Sequence, residues 1–132
     1  MMLRVVLAIC AVVLFIDCPG AHGQAPSASF ANPSRFLQRN GEDIYRSVCQ
    51  GCHMPDGRGA VGAGAYPALA ANPKLEASGY PVLLVINGQG AMPAFKRMLD
   101  DEQIAAVVNY VRTHFGNAFI DAVSGADVRK MR

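Results

Sequence analysis

Apolar positions fall along the chain in four distinct patterns. Val5 to Ile16 is an unbroken apolar run that follows Arg4. From Asn40 to Gln50 the apolar residues Ile44, Tyr45 and Val48 stand at i, i+1 and i+4, a stripe that predicts a helix. Tyr80 to Asn87 is a third case. Its centre, Val82-Leu83-Leu84-Val85-Ile86, is β-branched enough for a buried strand, whereas Pro81 near the start and Gly88 just past the end suit a short helix. Periodicity alone does not separate the two. The fourth, Asp100 to Phe115, is the clearest helix, with Ile104, Val107, Val108, Val111 and Phe115 as its buried stripe. Asp100 suits the N-cap and Gln103 the third position of a capping box, and Asp101 and Glu102 occupy the first turn. Arg112 and His114 fall in the last turn, and Gly116 stands where a helix stop belongs.

The intervening stretches are polar or glycine-rich. Residues 24–39 carry Pro26, Pro33 and several Ser, Ala and Asn without periodicity, and read as a flexible lead-in. Met54 to Gly64 contains Gly57, Gly59, Gly62 and Gly64 and is expected to be a long loop. Long ordered loops in a small domain usually wrap something. Residues 117–132 read as a polar tail with a weak apolar set, Phe119, Ile120, Val123 and Val128. There is no internal repeat.

Composition changes this picture at the N-terminus. The run from Val5 to Ile16, at 1.5 Å rise per residue, makes roughly 18 Å of helix against about 30 Å of hydrocarbon. Ala21-His22-Gly23 then offers small residues where a signal peptidase cuts, so 1–23 is expected to be a cleaved secretory signal rather than an anchor. Asp17 before Cys18 does not suit a lipoprotein signal. The expected organisation is signal 1–23, lead-in 24–39, a domain over 40–116 and the tail 117–132. Hydrophobic residues make up 52% of the chain, too many for a disordered one. A net charge of +2 and the absence of Trp give no basis for nucleic-acid binding.

Loss of 1–23 removes Cys10 and Cys18 and leaves Cys49 and Cys52, within Cys49-Gln50-Gly51-Cys52-His53. That spacing is the attachment signature for c-type haem. Two thiols separated by two residues add across the two vinyl groups, and the next residue presents its imidazole to the iron from the same side. A structural zinc site needs four ligands, and only His114 remains beyond these three. A thiol–disulfide oxidoreductase would need a thioredoxin-like βαβ context, which the pattern of helices and loops does not offer. The second axial ligand is assigned to Met92, in Gly88-Gln89-Gly90-Ala91-Met92-Pro93-Ala94-Phe95. A thioether is a soft ligand that raises the potential of haem iron. Pro93 stiffens this loop, and the glycines permit close backbone approach. Met54 is too close to His53 to reach the opposite face, Met98 reads as core, Met131 lies in the tail, and His114 reads as a helix-end partner.

These residues resemble a class I c-type cytochrome over about 40–116. The likeness rests on Gly41 and Tyr45 ahead of the motif, the motif itself, Tyr66-Pro67-Ala68-Leu69, Met92-Pro93, and Tyr110 within Val107-Val108-Asn109-Tyr110-Val111. It implies an all-α fold, three main helices and long loops around one covalent haem c, with helix over the ambiguous 80–87 stretch. It implies that the first and last helices cross at Gly41 and Tyr110, and that the Pro67 carbonyl holds the other nitrogen of His53. Arg58, Tyr66 and Tyr80 are candidates for the propionates. With both axial positions filled, no substrate site remains, and the expected role is one-electron transfer, not catalysis. The stretch from Ile86 to Gly116 with Asp121-Ala122-Val123 is similar to small proteobacterial periplasmic cytochromes. That implies a flavin- or quinone-cofactor dehydrogenase as donor and a terminal oxidase or another cytochrome as acceptor, the chain working as a monomer. The alternatives are a haem subunit of a larger dehydrogenase, and a haem protein with an open sixth position.

Overall fold

A computed structural model describes residues 36–62 and 64–132. The expected signal at 1–23 and all but the last residues of the lead-in lie outside the described residues.

Asn40 opens the first helical stretch, its side-chain oxygen accepting from the Asp43 amide at 2.9 Å. The stretch is not uniform. Helix α1 (Gly41–Ile44) runs into a π-helical turn at Tyr45–Cys49 and then into α2 (Gln50–His53). The π turn widens the helix where the motif begins, a distortion that concentrates at functional sites. The chain then folds back through a small antiparallel hairpin, β1 (Ala60–Val61) and β2 (Ala65–Tyr66), pairing Ala60 with Tyr66 and Val61 with Ala65. The domain is helical as expected, with this small hairpin added, and the hairpin corrects the reading of Met54–Gly64 as loop throughout. Two residues per strand carry too little alternation to register as a sequence pattern. A 3-10 turn at Pro73–Leu75 leads to α3 (Gly79–Asn87). That stretch is helix, with Pro81 in the first turn, where no amide bond is lost, and with Val82 and Ile86 buried.

Helix α4 (Asp101–Thr113) has the expected capping box: the Asp100 carboxylate accepts from the Gln103 amide, and the Gln103 side chain accepts from the Asp100 amide, both at 2.9 Å. Its far end departs from expectation. The helix stops at Thr113, His114 is already extended, and Phe115 takes a left-handed φ of 57° before Gly116 at 81°. Phe115 is turned inward onto Tyr45, ring centroids 4.9 Å apart, and onto Tyr110 edge-on at 5.6 Å. Aromatic packing thus offsets a backbone conformation that a bulky residue rarely adopts. Arg112 is not a surface partner of the helix end but is fully buried.

The tail differs as well. Asn109 pins its middle by a two-way bond with the Val123 backbone, 2.8 Å each. Ser124 and Asp127 form a second capping box for α5 (Gly125–Lys130), and Val128 is fully buried. Met131, read as tail, packs on the core. The core gathers Ile44, Tyr45, Leu75, Val82, Ile86, Phe95, Leu99 and the inner face of α4. Helices α1 and α4 pack directly at Gly41, where an added Cβ would sit 2.6 Å from the Tyr110 Cβ and against the Ala106 carbonyl.

Candidate functional site

The π turn and α2 bring Cys49, Cys52 and His53 onto one short stretch at the edge of the core. Cys52 is exposed, Cys49 is partly buried, and His53 is 9% exposed. Burial, and secondarily the neighbouring Cys52, push the free Cys49 thiol up to about 12. Thiol–disulfide chemistry needs the opposite, a thiol lowered by a helix N-terminus or by cations. The motif here lies at the C-terminal end of its helix.

His53 Nδ1 lies 3.0 Å from the Pro67 carbonyl oxygen, and this is the ring's one hydrogen bond among the described residues. A carbonyl only accepts, so Nδ1 carries the proton and Nε2 keeps its lone pair for a metal. The loop after the motif is built to deliver that carbonyl. The Gly59 amide donates to the His53 carbonyl at 3.0 Å, and Leu69 and Ala70 donate to the Gly57 carbonyl at 2.7 and 2.9 Å. Gly59 holds a φ of 66°, and a Cβ there would stand 2.8 Å from the Pro67 carbonyl carbon. No other residue fits without moving Pro67. Gly57 is constrained by Phe115 in the same way, its added Cβ 2.8 Å from the ring. From the sequence these glycines signal only a loop; the close approaches that require them depend on residues distant in the chain.

Tyr45 closes the floor. Its hydroxyl donates to the Met54 carbonyl at 2.7 Å, and burial raises its phenol to about 12. Met54, at φ 65°, turns the chain sharply after the motif.

Met92 stands on a separate element, the turn after α3. Gln89 and Met92 exchange backbone bonds of 3.0 and 2.9 Å around Gly90 and Ala91. Gly88 supplies a φ of 72°, and a Cβ there would come 2.8 Å from the Ala94 amide and the Pro93 carbonyl carbon. Met92 is half-buried and packs against the core. Met98 packs there too. His114 is exposed, stacked on Tyr110 at 4.1 Å between centroids, with Nδ1 2.8 Å from the Tyr110 carbonyl oxygen. Of the propionate candidates, Arg58 is exposed and faces Asp56 at 3.6 Å, Tyr66 ends β2, and Tyr80 lies on the exposed side of α3.

Two thiols and an imidazole with its free nitrogen defined form a donor set that fits haem c. The family described as "Cytochrome C oxidase, cbb3-type, subunit III" matches residues 37–111, spanning the motif, the Pro67 turn, Met92 and most of α4. The chain belongs to the cytochrome c family. A c-type cytochrome carries covalent haem c and transfers electrons; by itself it is not an enzyme. This cytochrome is 41% identical over 73 residues to cytochrome c6 of Leptolyngbya boryana, covering 54% of this chain and 85% of that one. It is 35% identical over 105 residues to the cytochrome c subunit of the quinone alcohol dehydrogenase of Gluconacetobacter polyoxogenes, covering 70% of this chain and 22% of that one. Against the fructose dehydrogenase cytochrome subunit of Gluconobacter japonicus, identity is 35% over 115 residues, 76% of this chain and 23% of that one. The chain therefore spans less than a quarter of the dehydrogenase subunits it matches.

Proposed function

We propose that this cytochrome is an exported mono-haem carrier. It takes single electrons from a periplasmic dehydrogenase with a flavin or quinone cofactor and passes them to a terminal oxidase or another cytochrome. The observation that carries the reading of the site is the 3.0 Å contact between His53 Nδ1 and the Pro67 carbonyl, which leaves one ring nitrogen for iron. Cys49 and Cys52 hold the group by two thioethers, so it is not lost by dilution. His53 would bind the iron through Nε2, with its proton kept on Nδ1. Met92 would supply a second iron ligand through its thioether and so leave no place for a substrate. When bound, the haem supplies one-electron exchange between ferric and ferrous iron. Export is supported by the apolar run at 5–16 with its small-residue cleavage site. No helix among the described residues is long and apolar enough to cross a membrane.

A second reading, a haem subunit within a larger dehydrogenase, is favoured by one observation. The likeness to the alcohol and fructose dehydrogenase subunits covers 105 and 115 residues, whereas that to cytochrome c6 of Leptolyngbya boryana covers 73. Purification of the protein matured in an exporting host separates the two. A carrier elutes alone at its own mass and is reduced by a dehydrogenase from the same operon on the timescale of that enzyme's turnover. A subunit co-elutes with its dehydrogenase. Acid-acetone extraction of the same sample should leave the colour on the polypeptide; colour in the solvent would overturn the thioether assignment.

A further inference from the structure

The family match ends at residue 111, yet the chain beyond it is folded onto the domain at two defined places. The first is before α3. Arg112, fully buried, donates from Nε to the Leu75 carbonyl and from Nη2 to the Glu76 carbonyl, both at 2.9 Å. The same guanidinium grips the tail, with Nη2 2.6 Å from the Asp121 carboxylate and Nη1 on the Asp121 carbonyl. At the start of α3, Met131 packs over Gly79, where an added Cβ would lie 3.4 Å from the methionine methyl. The second place is beyond the Met92 turn. Arg132 donates to the Lys96 carbonyl at 2.6 Å and to the Leu99 carbonyl at 2.8 Å, and its Nε pairs with Asp101. Arg129 pairs with the same carboxylate at 3.2 Å, and that carboxylate is largely buried.

Between these anchors lies one arm: α3, the Met92 turn and the Phe95–Leu99 segment. The arm has its own ties, the Phe95 amide to the Val85 carbonyl and the Met98 and Leu99 amides to the Phe95 carbonyl. Both of its ends are held by residues 112–132. We infer that the segment 117–132 is a strap that fixes the Met92 arm, with Arg112 and Arg132 as positioning residues, and that it sets how readily the sixth iron position opens. The inference rests on Met92 being the axial ligand. An arm held at both ends swings off only by breaking charge-assisted bonds at one of them. With Arg132 gone, the downstream end loses its bonds to the tail and keeps only the arm's own turn and the burial of Phe95 and Leu99.

The test uses ferric holoprotein and exogenous imidazole, which enters when Met92 leaves. In Arg132→Ala and in Asp101→Asn the entry rate should rise about tenfold, equivalent to ~1.4 kcal/mol in the opening barrier. Amide exchange at Met98 and Leu99 should rise with it. Without imidazole, both variants should keep the thioether-to-iron charge-transfer band. Arg46→Ala, which removes an exposed pair between Arg46 of the π turn and Glu42 of α1, should match wild type. Arg132→Lys should give an intermediate rate, since an ammonium can face Asp101 but cannot span two carbonyls. If Arg132→Ala and Asp101→Asn lower denaturant stability and leave imidazole entry unchanged, the strap is only structural and the inference falls. Failure of the Met92 reading looks different: wild type and Met92→Ala would then share the same band and the same imidazole rate.

Discussion

At the scale of single residues, the site depends on a carbonyl and a glycine more than on any charged group. Pro67 fixes the tautomer of His53, and Gly59 makes room for Pro67. Gly59→Ala places a methyl against the Tyr66 carbonyl oxygen and the Pro67 carbonyl at a φ that alanine resists, so the Tyr66–Pro67 backbone must shift. The His53 Nδ1 proton should then exchange with solvent faster than in wild type, as followed by NMR of the holoprotein. An unchanged exchange rate would mean that the loop tolerates the methyl without moving Pro67. Met92→Ala makes a separate prediction: the thioether-to-iron band disappears and the potential falls, because a soft ligand favours the ferrous state. Potentiometry and the absorption spectrum check it together. The motif and the Met92 loop stand out in the sequence as short local signatures, and Pro67 enters through the family resemblance. Gly59 and Phe115 do not, because what constrains them is a contact across the chain. Arg112 is the clearest case. Its place near a helix end suggests a partner for the dipole, and only the fold reveals that carbonyls of Leu75, Glu76 and Asp121 surround it.

At the scale of elements, the crossing of α1 and α4 and the docking of α5 make testable units. Gly41 faces the Ala106 carbonyl and the Tyr110 Cβ, so Gly41→Val should overpack the crossing. The expected loss is about 1–3 kcal/mol in denaturant unfolding of the holoprotein. Helix α5 can be tested by pH. Hydrogen bonds from the Ser124 hydroxyl and amide, then from Lys130, hold the Asp127 carboxyl down at about 2. A depressed acid contributes stability above its unfolded pKa, near 3.9, and loses it as pH falls through the folded value. The difference in α5 protection between wild type and Asp127→Ala should therefore be full above about pH 4 and gone below about pH 2. Amide exchange at Val128 reads it. A difference that persists at the acid end would show that packing, not the cap, holds the helix. Helix α4 is legible from sequence because a capping box and an apolar stripe coincide there. Helix α5 is not, since its six residues bury only Gly125 and Val128 and its stability comes from docking. The π turn leaves no sequence signal that we can identify.

At the scale of the whole molecule, the proposed carrier role asks how a protein with little net charge finds its partner and leaves it. The chain's formal charge is +2, and most cations are paired: Arg39 with Asp100, Arg46 with Glu42, Arg129 and Arg132 with Asp101, Lys130 with Asp127. Among the described residues, Lys74, Lys96 and Arg97 are exposed and enter no ion pair, and the last two stand in the Phe95–Leu99 segment after the Met92 turn. Two uncompensated charges at that rim steer weakly, and exposed charges are screened over about 10 Å at 0.1 M salt. The second-order rate of electron transfer from a reduced dehydrogenase should therefore fall only about threefold between low and moderate ionic strength. In a Lys96→Gln, Arg97→Gln double variant the dependence should flatten, with the charge-transfer band unchanged because neither side chain serves Met92. Arg46→Ala should keep the wild-type slope. A hundredfold fall in the wild-type rate would place the docking surface on a more highly charged face. A slope untouched by the double variant would mean that the electron enters away from the Met92 turn.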